Sequence, residues 1–264
     1  MDLAGKVVVV TGGASGIGRA MVERFARAGV KHLVVADRDA ETARHIANAN
    51  GAASFGTDVA KEADIQLLVT ETERVAGPID LFCSNAGILP VNPDWDNAAS
   101  TPNVEWQRAW DIHVMAHVYA ARALLPGMIA RKSGYFLNTA SAAGLLSQIN
   151  GAAYSTTKHA AIGFAESLAI THKDHGIKVS VLCPQAVDTA MIVGKPKLGA
   201  DVDGILTAEQ VAEVVVAGLA AEHFLILPHA SVATYVMRKA ENHDRWLGGM
   251  AKLRRNVAGA PHKA

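Results

Sequence analysis

The sequence predicts a single α/β domain in which helices cover both faces of a doubly wound, mostly seven-stranded parallel sheet. Strand-like and helix-like segments alternate along all 264 residues, and this alternation is typical of parallel strands joined by helical crossovers. The strand-like segments are apolar runs without a polar face, as in strands that are buried on both sides. No repeat or linker divides the chain, so we expect residues 1–264 to fold as one domain.

Strands and helices are expected in strict alternation. The strands are placed at residues 6–11, 31–36, 53–57, 79–83, 134–139, 177–182 and 224–227. The helices are placed at residues 17–28, 39–49, 61–76, 103–130, 152–174, 207–221 and 230–247. Two irregular stretches rich in Gly, Pro, Asn and Asp follow strand ends, where open α/β sheets bind ligands. We expect these stretches, 87–102 and 188–206, to form substrate loops, and residues 228–264 to form a C-terminal tail.

The first strand runs into a glycine-rich turn. β-Branched residues from Val7 to Val10 predict a buried strand, and the turn T-G-G-A-S-G-I-G follows it from Thr11 to Gly18. An amphipathic helix comes next and ends before Gly29. Glycines in this context allow a tight turn and a close backbone approach, so that a pyrophosphate can lie on the helix N-terminus. We therefore expect a dinucleotide to contact Gly12, Ser15, Gly16, Ile17 and Gly18.

An acidic residue follows the second strand. Asp37 lies nineteen residues after Gly18, where a carboxylate binds the ribose 2′-hydroxyl of NAD and repels the 2′-phosphate of NADP. Arg38 follows directly, and an arginine nearby can accommodate that phosphate. The alternative role for Asp37 is to cap the next helix, a place that Asp39 fills equally well. The pattern favours NAD over NADP.

A tyrosine and a lysine stand four residues apart in the helix expected at 152–174. At this spacing Tyr154 and Lys158 share one helix face, and Ser141 lies thirteen residues before the tyrosine. A free phenol has a pKa of about 10, and a neighbouring cation lowers that pKa toward the range useful for acid–base catalysis. The spacing alone is common on helix surfaces. Together with a dinucleotide site upstream, it predicts catalysis.

These motifs together resemble the short-chain dehydrogenase/reductase family in its single-domain form. The glycine pattern is that family's T-G-x-x-x-G-x-G rather than G-x-G-x-x-G, and the resemblance covers nearly the whole chain. It continues, in order, through Asn85-Ala86-Gly87, Ser141, Tyr154, Lys158, Pro184 and Thr189. The resemblance implies a Rossmann fold and an NAD-dependent oxidoreductase that interconverts a secondary alcohol and a ketone.

The resemblance also implies roles for single residues. Ser141 would hydrogen-bond the substrate oxygen, Tyr154 would exchange the hydroxyl proton, and Lys158 would lower the tyrosine pKa and bind the nicotinamide ribose. Asp58 and Val59 resemble the adenine-binding pair, although Asp58 fits equally well as a cap for the helix at 61–76. The remaining implied cofactor contacts are Asn85, Ala86, Gly87, Pro184, Val187 and Thr189.

Two positions depart from the family pattern. The glycine that usually follows the proline is Gln185, whose long amide is expected at the substrate end of the pocket. The family's fourth catalytic residue is an asparagine seven residues after a tryptophan, and the count from Trp106 reaches His113. A histidine can hold a water from either ring nitrogen and carry a proton near neutral pH, which predicts support for a proton relay. The alternative for His113 is a residue that only packs.

Composition argues against several classes of function. Lys and Arg total 25, as do Asp and Glu, and the resulting net charge of zero argues against nucleic-acid binding. No uninterrupted apolar run approaches the roughly 20 residues that span a bilayer, and the start carries no signal-peptide pattern. Cys83 and Cys183 fall in or beside buried strands and imply neither a disulfide nor a metal site. We expect a cytoplasmic protein without a metal.

The substrate is predicted from the loops. Residues 89–102, 142–150 and 188–206 are expected to form the pocket wall; they carry few charges, which favours an apolar alicyclic, aromatic or steroid-like alcohol. The apolar residues expected there are Ile88, Leu89, Val91, Trp95, Leu145, Leu146, Met191, Ile192 and Val193. A different class of function stays open, an NAD(H)-binding regulator or scaffold without catalysis, because a fold does not determine function. Turnover of any secondary alcohol with NAD distinguishes the two.

Apolar helix faces predict association. The helices at 103–130 and 152–174 carry apolar residues beyond the catalytic face, and large patches of this kind mark association sites. The family pairs these helices about a twofold axis and often forms tetramers about a second axis near the last strand. In this chain the second contact would use residues 224–227 and, from the tail, Tyr235, Trp246 and Met250. We expect a homotetramer, with a dimer as the next alternative.

Overall fold

The computed structural model describes residues 1–192 and 199–258. Residues 193–198 of one expected substrate loop, including Val193, and residues 259–264 of the tail lie outside this description. The described strands are β1 (Val7–Thr11), β2 (His32–Asp37), β3 (Ala53–Gly56), β4 (Leu81–Ser84), β5 (Gly134–Thr139), β6 (Ile177–Leu182), β7 (Val187–Asp188), β8 (Leu206–Thr207) and β9 (Leu225–Ile226). The described α-helices are α1 (Gly16–Arg27), α2 (Ala40–Ala49), α3 (Glu62–Ala76), α4 (Asn103–Trp110), α5 (Ala116–Ala130), α6 (Ala152–His172), α7 (Ala208–Ala221), α8 (Ser231–Glu241) and α9 (His243–Ala258).

Seven of these strands form one parallel sheet in the order β3-β2-β1-β4-β5-β6-β9. This order confirms the predicted doubly wound Rossmann architecture. The order reverses between β1 and β4, so a crevice opens beyond their ends at Thr11 and Ser84, where such sheets bind ligands. The sequence missed the short pair β7–β8, which lies at the two ends of the stretch expected to be irregular at 188–206.

Two apolar layers enclose the sheet. Alternate residues of β1 contribute to different layers: Val8 and Val10 pack with α1, α2 and α7, whereas Val7 and Val9 pack with α3, α5 and α6. Successive side chains of a strand point to opposite faces, so a strand covered on both faces must be apolar throughout. This explains the continuous valine run that predicted the strand.

The helix expected at 103–130 is interrupted by a π-helical turn. The turn, Asp111–Met115, separates α4 from α5, and π-helical turns are frequent at functional sites. Within the described part of the chain, residues 103–130 form the one helical stretch long and apolar enough to cross a bilayer. This stretch packs against α3 and α6, and its buried apolar side chains belong to the protein core.

The tail departs from the single helix expected at 230–247. It contains α8 and α9, which meet at Asn242. The Asn242 side-chain oxygen accepts from the backbone N–H of Arg245 at 2.9 Å, so Asn242 both ends α8 and caps α9. The chain therefore turns there, and α9 continues to the end of the described residues.

Candidate active site

A cavity of 660 Å³ lies at the C-terminal ends of the central strands. It occupies the crevice where the strand order reverses, and it contains both the glycine-rich turn and the start of α6. The predicted cofactor residues that line it are Gly12, Ser15, Gly16, Ile17, Asn85, Ala86, Gly87, Tyr154, Lys158, Pro184, Val187 and Thr189. The predicted residues Gly18, Asp37, Asp58 and Val59 are not part of its described lining.

The glycine-rich turn packs so closely that side chains do not fit. A Cβ on Gly12, whose φ is +64°, would lie 2.8 Å from the Cα of Ala86, and a Cβ on Gly18 would lie 2.0 Å from the oxygen of Gly12. The first turn of α1 has no acidic residue, and the side chain of its N-cap, Ser15, makes no capping hydrogen bond. The N–H groups at this helix end therefore remain available, and with the helix dipole they suit the phosphates of a dinucleotide.

Asp37 faces the glycine-rich turn. Its carboxylate accepts from the backbone N–H of Ala14 at 3.2 Å and from that of Asp39 at 3.1 Å. The helix cap is Asp39, which accepts from Thr42 at 3.1 Å, so the capping alternative for Asp37 is wrong. A carboxylate held beside the phosphate-binding turn is in place to meet the ribose of a dinucleotide.

Asp58 does not cap the following helix either. Its side chain accepts from the backbone N–H of Ala60 at 3.2 Å, and the N-cap of α3 is Lys61, whose side chain makes no capping bond. Val59 is buried among the core residues of the layer that contains α3. The assignment of Asp58 and Val59 to an adenine therefore stays a prediction without the competing capping role.

Asn85 braces three neighbouring strands. Its Nδ2 donates to the carbonyl oxygen of Thr11, at the end of β1, over 3.1 Å. Its Oδ1 accepts from Oγ1 of Thr139, at the end of β5, over 3.1 Å. The Thr11 hydroxyl in turn accepts from the Asn85 backbone N–H. The N-A-G turn thus fixes the sheet end that forms the cavity floor.

Ser141, Tyr154 and Lys158 come together at this floor, and all three are buried. Lys158 Nζ lies 5.7 Å from the centroid of the Tyr154 ring and donates to the carbonyl oxygen of Thr139 at 3.0 Å. Ser141 lies two residues after the end of β5. Its Oγ accepts from the backbone N–H of Ala143 at 3.1 Å. A phenol, a hydroxyl and an ammonium group in one buried site can bind a substrate oxygen and exchange its proton.

Burial controls the acidity of these groups. It raises the pKa of Tyr154, and hydrogen bonding from Ser141 only partly opposes the rise. It lowers the pKa of Lys158 to about 8. The sequence predicted that Lys158 lowers the tyrosine pKa; in this structure the cost of burying a phenolate raises that pKa instead.

His113 lies beside this group with both ring nitrogens engaged. Nε2 accepts from the backbone N–H of Ile88 at 3.1 Å, and Nδ1 lies 2.8 Å from Oγ1 of Thr157. The ring is fully buried, edge-on to Tyr154 at 5.6 Å between centroids. Burial, and then the charge of Lys158, hold the pKa of His113 well below its usual range. This geometry leaves no ring nitrogen free for a relay water and favours the packing role that the sequence left open.

Several positioning residues were not recognised from the sequence. Asn92 is one: its Oδ1 accepts from Oγ1 of Thr101 at 3.0 Å and from the backbone N–H of Ala152 at 3.3 Å. It therefore attaches the loop at 87–102 to the first residue of the catalytic helix. The others are Thr157, whose hydroxyl contacts His113, and Thr139, whose carbonyl oxygen accepts from Lys158. Buried threonines and asparagines are ordinary components of strand ends and turns, so residue type alone did not single them out.

Only some of the residues expected in the pocket wall line the cavity. Those that line the cavity are Ile88, Leu89, Leu146, Met191 and Ile192. Val91, Trp95 and Leu145 do not belong to the described lining. Gln185 lines the cavity as predicted, next to Pro184. The wall is mostly apolar, and the apolar substrate stays a prediction.

The tail supplies part of the wall, which the sequence did not predict. Tyr235, Trp246 and Met250, which are also expected at a subunit interface, line the cavity. Lys239 holds α8 against the cavity rim by donating to the carbonyl oxygens of Leu145 at 2.8 Å and Leu146 at 2.9 Å. The tail therefore closes the substrate end of the cavity within one subunit, and the interface expected at these three residues stays a prediction.

Cys83 and Cys183 are free thiols in the buried strand region. Burial raises the pKa of both, that of Cys183 to about 12, so they are protonated and unreactive at neutral pH. Across residues 1–192 and 199–258 no group of three or more His, Cys, Asp or Glu side chains is arranged to hold a metal ion.

Known proteins resemble this chain in sequence and in fold. Residues 6–197 match the short chain dehydrogenase family. The chain is 35% identical over 240 residues to 1-deoxy-11-beta-hydroxypentalenate dehydrogenase of Streptomyces exfoliatus, covering 87% of this chain and 85% of the relative. It is 36% identical over 198 residues to 2,5-dichloro-2,5-cyclohexadiene-1,4-diol dehydrogenase of Sphingobium indicum, covering 72% of this chain and 76% of the relative. A short chain dehydrogenase/reductase from Burkholderia phymatum, solved in complex with NAD, superposes with a TM-score of 0.81 at 28% identity, over 92% of this chain and 96% of that one.

Proposed function

The chain belongs to the short-chain dehydrogenase/reductase family, and on that premise we propose that it is an NAD-dependent oxidoreductase of secondary alcohols and ketones. The observation that carries the proposal is that Ser141, Tyr154 and Lys158 meet in one buried cavity with a glycine-rich turn. These are the groups that alcohol oxidation requires: an oxygen-binding donor, a proton acceptor and a phosphate cradle.

The reaction removes a hydride and a proton from a carbinol. When bound, NAD supplies the hydride acceptor. Ser141 donates a hydrogen bond to the substrate oxygen and stabilises the charge that develops there. Tyr154 as phenol, the form that its raised pKa favours, gives its proton to the substrate oxygen during reduction, and as phenolate it takes the hydroxyl proton during oxidation. Lys158, anchored to the Thr139 carbonyl, keeps a positive or hydrogen-bonding group beside the phenol.

NAD is preferred over NADP in this proposal. The Asp37 carboxylate stands beside the glycine-rich turn, held by the N–H of Ala14, where it favours a free ribose hydroxyl and repels a phosphate. The structural relative in complex with NAD supports the same choice. Arg38 is exposed next to Asp37, and its attraction for a phosphate is opposed by that carboxylate.

The substrate is an apolar alcohol, most simply an alicyclic one. Apolar side chains of the loops and the tail make up most of the wall around Ser141 and Tyr154. One relative oxidises a cyclohexadiene diol by its name, which supports a ring-shaped substrate. Oxidation of a panel of secondary alcohols by the purified protein with NAD, followed by NADH absorbance, tests the function. Tight NAD binding with no turnover of any member of the panel would favour the regulator or scaffold instead.

We propose further that the protein is a homotetramer, with a dimer as the alternative. Part of the apolar surface expected on the two long helices is buried within the subunit, including Val114, Leu124 and Leu168. Ala160 and Phe164 of α6 and Tyr119 of α5 remain partly exposed, and they support pairing of these helices between subunits. The edge strand β9, where Leu225 is exposed, supports the second contact.

A further inference from the structure

The turn that leads into the catalytic helix contains a residue in the left-handed conformation. Asn150 has a φ of +56°, a region that residues other than glycine seldom adopt. It stands two residues before Ala152, the first residue of α6, and four residues before Tyr154. A sparsely populated backbone conformation persists only where its surroundings hold it, and such positions cluster at functional sites. The contacts that hold Asn150 therefore indicate what positions Tyr154.

The main chain of Asn92 bonds to Asn150 in both directions. The Asn92 N–H donates to the carbonyl oxygen of Asn150 at 3.0 Å. The Asn92 carbonyl oxygen in turn accepts from Nδ2 of Asn150 at 3.3 Å. Asn92 is buried, and it lies 58 residues before Asn150 in the sequence. The loop at 87–102 thus fixes the turn that precedes α6.

The side chain of Asn92 caps α6 from this distant segment. The first N–H groups of a helix have no partners within it, and the side chain of the N-cap residue usually accepts from one of them. The N-cap of α6 is Gly151, which has no side chain. Oδ1 of Asn92 supplies the missing acceptor and accepts from the N–H of Ala152 at 3.3 Å. The end of α6 that carries Tyr154 is therefore held by the loop.

Two donors fix the orientation of the Asn92 amide. A backbone N–H only donates, so the amide atom that faces Ala152 is the oxygen. The buried hydroxyl of Thr101 donates to the same oxygen at 3.0 Å. Ile88 and Leu89, earlier in this loop, line the cavity. One loop therefore forms part of the cavity wall and also holds the start of the catalytic helix.

We propose that Asn92 is a positioning residue for the reaction, which holds the first turn of α6 so that the Tyr154 hydroxyl meets the substrate oxygen beside Ser141. This inference rests on the proposed function. Tyr154 is the third residue of α6 and lies within the turn that Asn92 holds. Lys158 lies one turn further on and is anchored separately by the Thr139 carbonyl, so loss of the cap affects the phenol more than the lysine. A displacement of a reacting group by about 1 Å can cost about a hundredfold in rate.

The experiment compares Asn92→Leu with Asn92→Asp, using the secondary alcohol that wild type oxidises fastest with NAD. Asn92→Leu keeps the size of the side chain but has no acceptor, and it should lower kcat by about ten- to a hundredfold while KM for NAD stays near wild type. Asn92→Asp keeps the acceptor and should retain most of kcat. Asn97→Leu is the matched control and should leave kcat unchanged, because the exposed Asn97 side chain accepts from the N–H of Ala99 within the same loop.

A second pair of variants keeps the proposal testable if Asn92→Leu does not fold. Asn150→Gly and Asn150→Ala both lose the bond from Nδ2, but glycine adopts a positive φ freely and alanine does not. In Asn150→Ala the turn should relax toward negative φ and move the start of α6, so kcat should fall several-fold below that of Asn150→Gly at equal NAD affinity. Equal kcat in these two variants would mean that the conformation of this turn does not position Tyr154.

Hydrogen exchange separates this proposal from the proposed function. Backbone amides of residues 151–155 should exchange faster in Asn92→Leu than in wild type, and at the wild-type rate in Asn97→Leu. Unchanged exchange or unchanged kcat in a folded Asn92→Leu overturns the positioning role and leaves the proposed function intact. An Asn92→Asp variant as slow as Asn92→Leu overturns it as well. Wild type that binds NAD but oxidises no alcohol overturns the proposed function, and exchange then still decides whether Asn92 holds this turn.

Discussion

Nδ1 of His113 lies 2.8 Å from Oγ1 of Thr157, the residue that precedes Lys158. The N–H of Ile88 donates to Nε2 of the same ring and holds that nitrogen unprotonated. Nδ1 therefore carries the proton and donates to Thr157, whose hydroxyl donates onward to the carbonyl oxygen of Ala153 at 2.8 Å. One buried ring thus joins the N-A-G turn to the catalytic helix.

Replacing His113 tests this connection. His113→Leu leaves the Ile88 N–H without an acceptor and should cost about 1–3 kcal/mol of unfolding free energy and raise KM for NAD. His113→Gln places an oxygen near the position of Nε2 and should retain most stability and activity. Thermal melting and NAD kinetics of both variants check the prediction. If His113→Leu has normal stability and NAD affinity but an altered pH dependence of kcat, the result would instead support a proton relay through His113.

Tyr154→Phe should lower turnover by at least about a hundredfold, the low end for loss of general acid–base catalysis. NAD binding should stay near wild type, because the ring and its packing are kept. Turnover and NAD titration are measured on the same preparation. Tyr119→Phe makes the same change on α5, away from the cavity, and should leave turnover unchanged. Equal turnover in Tyr154→Phe and wild type would remove the phenol from the mechanism.

The parts of the site that the sequence predicted depend on local patterns. The turn between β1 and α1 needs glycines because a Cβ at Gly18 would collide with the backbone of Gly12 in the same turn, and a Cβ at Gly12 would collide with the backbone of Ala86 in the N-A-G turn. The spacing of Tyr154 and Lys158 places them on one face of any helix. Both patterns can be recognised in a few consecutive residues, even though the close approach of Gly12 to Ala86 is a contact between distant segments.

The parts of the site that the sequence did not predict depend on contacts between distant segments. Trp246 and Met250 reach the cavity because Asn242 turns the chain between α8 and α9 and Lys239 attaches α8 to the carbonyls of Leu145 and Leu146. The tail alone carries no sign of these contacts. The contacts of His113 could not be predicted for a similar reason: Ile88 and Thr157, which hydrogen-bond its ring nitrogens, lie far from it in the sequence.

Asp37→Asn should relax the preference for NAD. The amide keeps an acceptor for the Ala14 N–H but removes the negative charge that repels a 2′-phosphate, so kcat/KM for NADP should rise relative to that for NAD. The exposed Asp39→Asn, which removes a charge two residues away, is the control and should alter the ratio much less. Equal use of NAD and NADP by wild type would contradict the role of Asp37 as discriminator.

Light scattering should give a mass of about 111 kDa, four times the subunit mass of 27.7 kDa. Ala160→Arg puts a long charged side chain on the partly exposed face of α6, where a close helix pair has no room for it, and should reduce the assembly to smaller species. Leu67→Arg on α3, where the side chain is 60% exposed, should leave the mass unchanged. A wild-type mass near 28 kDa would rule out both tetramer and dimer.

Lys158→Met should change how stability depends on pH. In the folded protein burial lowers the pKa of Lys158 to about 8, from an ordinary value of 10.5. Between these two pH values the unfolded chain binds more protons at this position than the folded one, so raising the pH through this window favours folding. At about 1.4 kcal/mol per pKa unit, wild type should gain up to about 3 kcal/mol relative to Lys158→Met across the window. Loss of the Thr139 hydrogen bond does not depend on pH and cancels in this comparison.

The measurement is denaturant unfolding of both proteins below pH 8 and near pH 10, with the exposed Lys252→Met as a control that should follow wild type. Parallel pH dependences for wild type and Lys158→Met would mean that Lys158 keeps its ordinary pKa despite its burial.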